Sequence, residues 1–242
     1  MSGKGDKFVI SLACEKNETS IESGLDFILT HLESDKQFPR RISTYFSDDK
    51  QIMVNSKAEA LLKFRESNLL DSKISAFRYP VPAVRGINAQ VPDFFMSDLD
   101  RRDKRFKTNK AFKQCLQQTL QNYDIKLHGA NPTVLWSGGG FTLLQPLEAD
   151  VILEMESIYS EFDEPSRKLM HYAEKLMTDN NADLCHKPSF ENCMIRIPGS
   201  YNSKYVQRND NDEIVSMTSQ STMSSWDGYK PNVRYLKIFG II

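Results

Sequence analysis

Apolar positions recur along the chain with two periods, and the period assigns the elements. Phe8 to Leu12 is a short apolar run and reads as a strand. Ile21, Leu25, Ile28, Leu29 and Leu32 fall three or four apart between Ser20 and Leu32, the spacing of an amphipathic helix. Asp35 to Pro39 is a break. Ile42 to Phe46 and Gln51 to Val54 read as two strands around an acidic turn at Asp48 and Asp49. Asn55 or Ser56 caps a helix running to about Ser67, with Ala58, Leu61, Leu62 and Phe64 on its apolar side. Lys73 to Phe77 is a further strand. Tyr79 to Val91 carries Pro80, Pro82 and Gly86 and reads as a hinge between two halves, residues 1–90 and 91–242.

The second half opens with Phe94-Phe95-Met96-Ser97-Asp98-Leu99-Asp100, a core strand that ends in acid. Thr108 to Leu127 is a helix with Phe112, Leu116, Leu120 and Tyr123 along one side. Thr133 to Trp136 and Phe141 to Leu144 are strands separated by Ser137-Gly138-Gly139-Gly140. Pro165 to Thr178 is a helix capped by Asp163. Met194 to Ile197 is a strand closed by Pro198-Gly199, and Ile214 to Thr218 is another. The order strand, helix, strand, strand, helix, strand predicts an α/β (α+β) protein: a mixed sheet with helices packed on one face.

Composition narrows this only a little. The 242 residues suffice for one large domain or two small ones, and 40% hydrophobic with 26% charged residues is ordinary for a globular protein. Lys plus Arg number 31 and Asp plus Glu 32, so the net charge of -1 excludes a polycation. It leaves room for a local basic patch. No apolar run approaches the roughly 18 residues that span a bilayer. Met1 to Asp6 is polar with no apolar run behind it, so no secretory signal is read there. Four cysteines make no disulfide framework, and the expected location is the cytoplasm, with no membrane partner.

Three segments carry candidate chemistry. Asp98 and Asp100 alternate on a strand, so their side chains share a face about 6–7 Å apart at Cα. Such a pair repels itself and invites a divalent cation; a solvated acidic turn is the plain alternative. Arg101, Arg102, Lys104, Arg105, Lys107 and Lys110 follow directly. Acids beside a basic run suit a site that handles phosphates. The glycine turn offers backbone N–H groups to an anion, or is simply a hairpin turn. It is neither a Walker A loop nor a dinucleotide fingerprint, because no Gly-Lys-Ser/Thr and no helix follow. In the third segment Asp183 precedes Cys185 and His186. Arg196 stands in an apolar strand where it needs a phosphate or a carboxylate, and Asn202 and Lys204 lie just past the turn. A structural salt bridge is the alternative for Arg196. Zinc at Cys185, His186 and Cys193 is not favoured, because the spacing is poor and no second C-x-x-C pair exists.

Together these segments resemble the archaeo-eukaryotic primase superfamily, the primase-polymerases. An apolar strand ending in D-x-D matches at Phe94 to Asp100, and a strand with an S-G-x-G turn at Val134 to Thr142. An Asp followed by R-x-P-G-S-x-N-x-K matches at Asp183 and Arg196 to Lys204. The last string is the most specific. The run from Ala130 to Ala149 and that from Glu161 to Lys175 are similar to an archaeal branch associated with the Nitrososphaerota. The likeness extends from about Ile42 to Lys204. It implies an RRM-like catalytic half packed on an α/β amino-terminal half, with the site in the cleft.

The resemblance further implies that Asp98, Asp100 and Asp183 bind two divalent ions, Mg²⁺ or Mn²⁺. Ser137, Gly138 and Gly140 cradle a triphosphate, Arg196 and Lys204 meet phosphates, Asn202 orients the loop, and Arg101, Arg102, Lys104, Arg105 and Lys107 face nucleic acid. The reaction implied is transfer from an NTP or dNTP to a primer on a DNA template, with a helicase or replication protein on a separate chain. One position departs: Thr142 stands where the family has a phosphate-binding His. Thr donates one hydrogen bond but carries no charge. Two other readings therefore stay open, a binding module without catalysis and a metal-dependent nuclease.

Overall fold

A computed structural model of the chain describes residues 20–31, 38–48, 50–76, 94–101, 105–148, 163–188, 193–210, 214–217, 221–224 and 227–231. The strand expected at Phe8 to Leu12 and the hinge at Tyr79 to Val91 lie outside them. The fold is α+β, built from two four-stranded sheets and their helices.

The first sheet has the order β2 (Ile52–Val54), β1 (Arg40–Ser43), β3 (Lys73–Ser75), β7 (Met194–Arg196), with every pair antiparallel. Helices α1 (Ile21–Thr30) and α2 (Lys57–Glu66) close its core, where Leu25, Ile28, Ile42, Val54, Phe64, Ile74 and Ile195 are buried. Ser20 caps α1 by accepting from the Ser23 N–H. Ser56, not Asn55, caps α2; it accepts from the Glu59 N–H, and the Glu59 carboxylate reaches back to the Asn55 N–H.

The second sheet has the order β10 (Thr222–Met223), β5 (Thr133–Trp136), β6 (Gly140–Pro146), β4 (Phe94–Asp100), again antiparallel throughout. Helices α3 (Asn109–Lys126) and α4 (Asp163–Met177) pack on one of its faces. Phe95, Leu99, Phe112, Leu116, Tyr123, Phe141, Leu143 and Met177 form that core. Leu135 and Leu144 instead join the core of the first sheet. The second face of this sheet is therefore covered at Leu135 and Leu144, where the two sheets share a seam. A short ribbon of β8 (Val206–Arg208) and β9 (Ile214–Met217) completes the described elements.

Three expectations change. Tyr45 and Phe46 leave the strand and form a 3₁₀ turn over Tyr45–Ser47. The Tyr45 N–H donates to the Leu70 carbonyl, and both rings stand out in solvent, Phe46 at 66% exposure. Apolar residues there extended a strand pattern that the backbone does not follow. Asp163 lies within α4 rather than capping it. The sheet is not mixed, and β7 does not join β4 to β6. It crosses back to pair with β3, setting Ile195 against Ile74 in the first core. Among the described strands β4 is thereby an edge strand, and the site lies along it.

Candidate functional site

β4 pairs with β6 along its whole length, with Asp98 opposite Thr142 and Asp100 opposite Gly140. Phe95, Ser97 and Leu99 are buried on its inner face, and the Ser97 hydroxyl meets the Tyr123 hydroxyl at 2.8 Å. Met96, Asp98 and Asp100 take the alternate face and line a cleft of about 230 Å³. The same cleft is lined by Ser137, Gly140 and Thr142 from the glycine hairpin, by Asp183 and His186, and by Arg196, Asn202 and Lys204. Residues from three segments spread between positions 96 and 204 thus meet in one place. Gly138 is buried in the turn beside it and is not among the lining residues.

An edge strand offers backbone groups that need partners. The Asp98 N–H donates to Glu174 Oε1 on α4 at 3.0 Å, and the Asp98 carbonyl accepts from the Asp183 N–H at 2.8 Å. Glu174 is 1% exposed and also meets His186 Nδ1 at 2.6 Å. Burial works against charge on His186. Hydrogen bonding to Cys193 and Glu174, with the charges of Glu174 and Asp98, outweighs it and raises the imidazole to about 11. The balance favours the protonated imidazole. Desolvation pushes the Asp98 carboxyl up to about 6; the Glu174 and Asp183 charges add to this, while His186 and the Thr142 hydroxyl oppose it. Thr142 Oγ1 donates to Asp98 Oδ1 at 2.9 Å. The residue that departs from the family pattern is thus engaged with the first acid.

The glycine run has structural reasons of its own. Gly138 adopts φ +87°, a left-handed conformation that favours glycine. A Cβ on Gly140 would run into the Leu99 carbonyl, so glycine lets β6 lie close against β4. The Ser137 N–H and hydroxyl both donate to the Gly140 carbonyl, at 2.9 and 3.1 Å. The turn is a closed hairpin whose Ser137 carbonyl accepts from Asn202 Nδ2 at 2.8 Å. Asn202 thereby ties the third segment to the second, while its Oδ1 accepts from the Lys204 N–H.

Arg196 finds a carboxylate. Its Nη1 meets Asp71 Oδ1 at 2.8 Å and the Tyr201 carbonyl at 3.1 Å. Burial works against charge on Asp71, but Ser203 and the Arg196 guanidinium hold its carboxyl below the usual range. Arg105, from the basic run, donates to the carbonyls of Asn180, Asn181 and Ala182. Asp179 and Asn180 take left-handed conformations that end α4, and Arg105 satisfies the carbonyls just beyond it. Arg101 and Lys107 are exposed, and Arg102 and Lys104 lie outside the described residues.

Cys115, Cys185 and Cys193 are free thiols, and among the described residues no three His, Cys, Asp or Glu side chains are grouped to hold a metal ion. That applies to zinc and to the acids. Asp183 Oδ1 accepts from the Cys185 N–H at 2.9 Å, and Asp98 Oδ1 is held by Thr142. The donor chemistry nevertheless fits a hard divalent ion. Asp98, Asp100 and Asp183 are oxygen donors lining one cleft, the ligand type a hard divalent ion takes.

Sequence reasoning passed over Glu174 and Asp71. Glu174 did leave a signal: it falls on the stripe of Met170, Ala173 and Met177, an acid at a core position of an amphipathic helix. Asp71 left none.

No family model matches the chain, and no curated protein matches it. Two solved structures are similar in outline. One is the AEP domain of the cyanophage S-2L primase-polymerase, at 12% identity and TM-score 0.46, covering 88% of this chain and 97% of that one. The other is the catalytic domain of the primase RepB′ in complex with initiator DNA, also at 12% and 0.46, covering 92% and 94%.

Proposed function

We propose that the chain is a primase-polymerase-like nucleotidyltransferase, an archaeal or plasmid-type member of that superfamily, acting on a DNA template and primer with an NTP or dNTP. One observation carries the reading: the D-x-D strand, the glycine hairpin, Asp183 and the Arg196 to Lys204 string line a single cleft. Asp98, Asp100 and Asp183 would hold the divalent ions, Mg²⁺ or Mn²⁺, which when bound neutralise charge on the transferring phosphate. Lys204, exposed at the cleft, supplies a cation to the triphosphate. Thr142 orients the Asp98 carboxylate. A helicase or replication protein on a separate chain completes the expected partners.

Extension of a labelled DNA primer with Mg²⁺ or Mn²⁺ tests the reading. The unsubstituted chain lengthens the primer, and Asp98→Ala reduces extension to background. Equal extension by both would overturn the site. A second reading has its own support: Arg196 is engaged by Asp71, and Thr142 by Asp98, so two groups expected at the phosphates already hold protein partners. A binding module of this kind would bind template-primer tightly and extend it with neither metal. Shortening of the primer would identify a nuclease instead.

A further inference from the structure

Glu174 sits behind the cleft and His186 on its wall, and the proposed reaction gives neither a role. Glu174 Oε1 accepts from the Asp98 N–H and from His186 Nδ1. The His186 backbone N–H donates to the Asp183 carbonyl at 3.0 Å, and the Asp183 N–H donates to the Asp98 carbonyl at 2.8 Å. The four groups close a ring: Asp98, Glu174, His186, Asp183 and back to Asp98. Two of its corners are the two acids that come from separate segments.

Stability does not explain this arrangement well. Glu174 occupies a core position on α4, and its Oε2 is buried with no hydrogen-bond partner. A buried ion pair with an unsatisfied oxygen is commonly no more stable than an apolar pair of the same size. A leucine would suit the stripe of Met170, Ala173 and Met177. What the leucine could not do is accept the edge N–H of Asp98 and fix the loop that carries Asp183.

We propose that Glu174 and His186 are positioning residues: their hydrogen-bonded ring locks the β4 edge to the Asp183 loop, so that both carboxylates face one cleft. This rests on the metal-dependent reading above. Groups behind metal ligands commonly change metal affinity roughly 10–100-fold when removed.

The test is a Mn²⁺ titration of the full chain, read from the electron paramagnetic resonance signal of the free ion, with thermal unfolding run beside it. The double variant Glu174→Leu/His186→Leu removes both charges and breaks the ring. It is expected to unfold cooperatively and to bind Mn²⁺ at least about tenfold more weakly. Glu174→Gln keeps an acceptor oxygen in place and is expected to stay within about threefold of the unsubstituted chain. In primer extension the double variant lowers kcat and leaves the KM for nucleotide unchanged.

Should the double variant fail to fold, His186→Leu takes its place against Glu174→Gln. Unchanged Mn²⁺ affinity in the ring-breaking variant would overturn the positioning role. So would a loss in Glu174→Gln as large as in the double variant, since that assigns the effect to charge rather than to the ring. Failure of the wider reading has a different signature. The unsubstituted chain then leaves the Mn²⁺ signal unchanged, or Asp98→Asn binds as well as it does, and the positioning role falls with the site.

Discussion

Two histidines of this molecule are drawn to opposite charge states. His31 ends α1 at the seam between the sheets. Its Nε2 meets Thr133 Oγ1 at 2.7 Å and its Nδ1 meets the Phe27 carbonyl at 2.9 Å. Desolvation lowers its pKa, with the Phe27 carbonyl opposing. It is a neutral link between α1 and β5. His186 is part-buried at the cleft wall, but it faces Glu174 and Asp98, which favour its charged form. Burial alone therefore does not decide a histidine's charge; the carboxylates around it do. The excess of acid marks the cleft, and its absence marks the seam.

The largest effect should come from stranding the charged histidine. Glu174→Leu takes the hydrogen-bonded carboxylate from His186 and orphans the Asp98 N–H, at a cost of about 3–5 kcal/mol. Chemical denaturation at neutral pH measures it. The added change His186→Leu should recover most of that loss, because it removes the orphaned charge. If Glu174→Leu costs less than about 1 kcal/mol, His186 is not a buried cation and the contrast with His31 collapses.

At the seam, His31→Leu removes the hydrogen bonds to Thr133 and the Phe27 carbonyl and takes that partner from the Thr133 hydroxyl. The expected cost is about 1–3 kcal/mol by the same denaturation experiment. A companion change Thr133→Val removes the orphaned hydroxyl and should recover part of this smaller loss. A recovery at the seam as large in kcal/mol as the one at the cleft would make the two sites alike.

The same contrast separates what was legible in the sequence from what was not. Asp98 and Asp100 were legible because strand alternation is local, and the strand puts them on the cleft face. The Ser137 to Gly140 turn was legible because its register follows from the flanking strands. The partners of those residues were not. Arg196 meets Asp71 across 125 positions, and the Asp98 N–H meets Glu174 across 76. Neither contact follows from a period of two or of 3.6. The return of β7 to the first sheet created both surroundings, by leaving β4 with an open edge and setting Arg196 opposite Lys73 on β3. One member of the basic run has a partner that was hidden for a related reason. Composition showed a string of cations, but the chain's path sends Arg105 to the carbonyls at the end of α4.

The smallest and most discriminating effect is the response to acid. His31 has a folded pKa below its ordinary 6.5, so the unfolded chain binds the extra proton first. Its contribution is present above pH 6.5 and is lost as the pH falls through the lowered folded value. Asp98 behaves in the opposite sense. Its folded pKa, near 6, lies above its ordinary 3.8, so its contribution is full below 3.8 and is lost as the pH rises through about 6. Between pH 6.5 and 5, acid weakens the seam and strengthens the cleft. Two variants expose the opposed slopes in denaturation runs at pH 7, 6 and 5. His31→Gln should gain stability relative to the unsubstituted chain as the pH falls, because the destabilising term is gone. Asp98→Asn should lose relative stability over the same steps. Parallel pH curves for the unsubstituted chain and His31→Gln would mean that His31 titrates normally. The seam would then be no drier than the surface, and the difference between the two histidines would lie in hydration rather than in neighbouring charge.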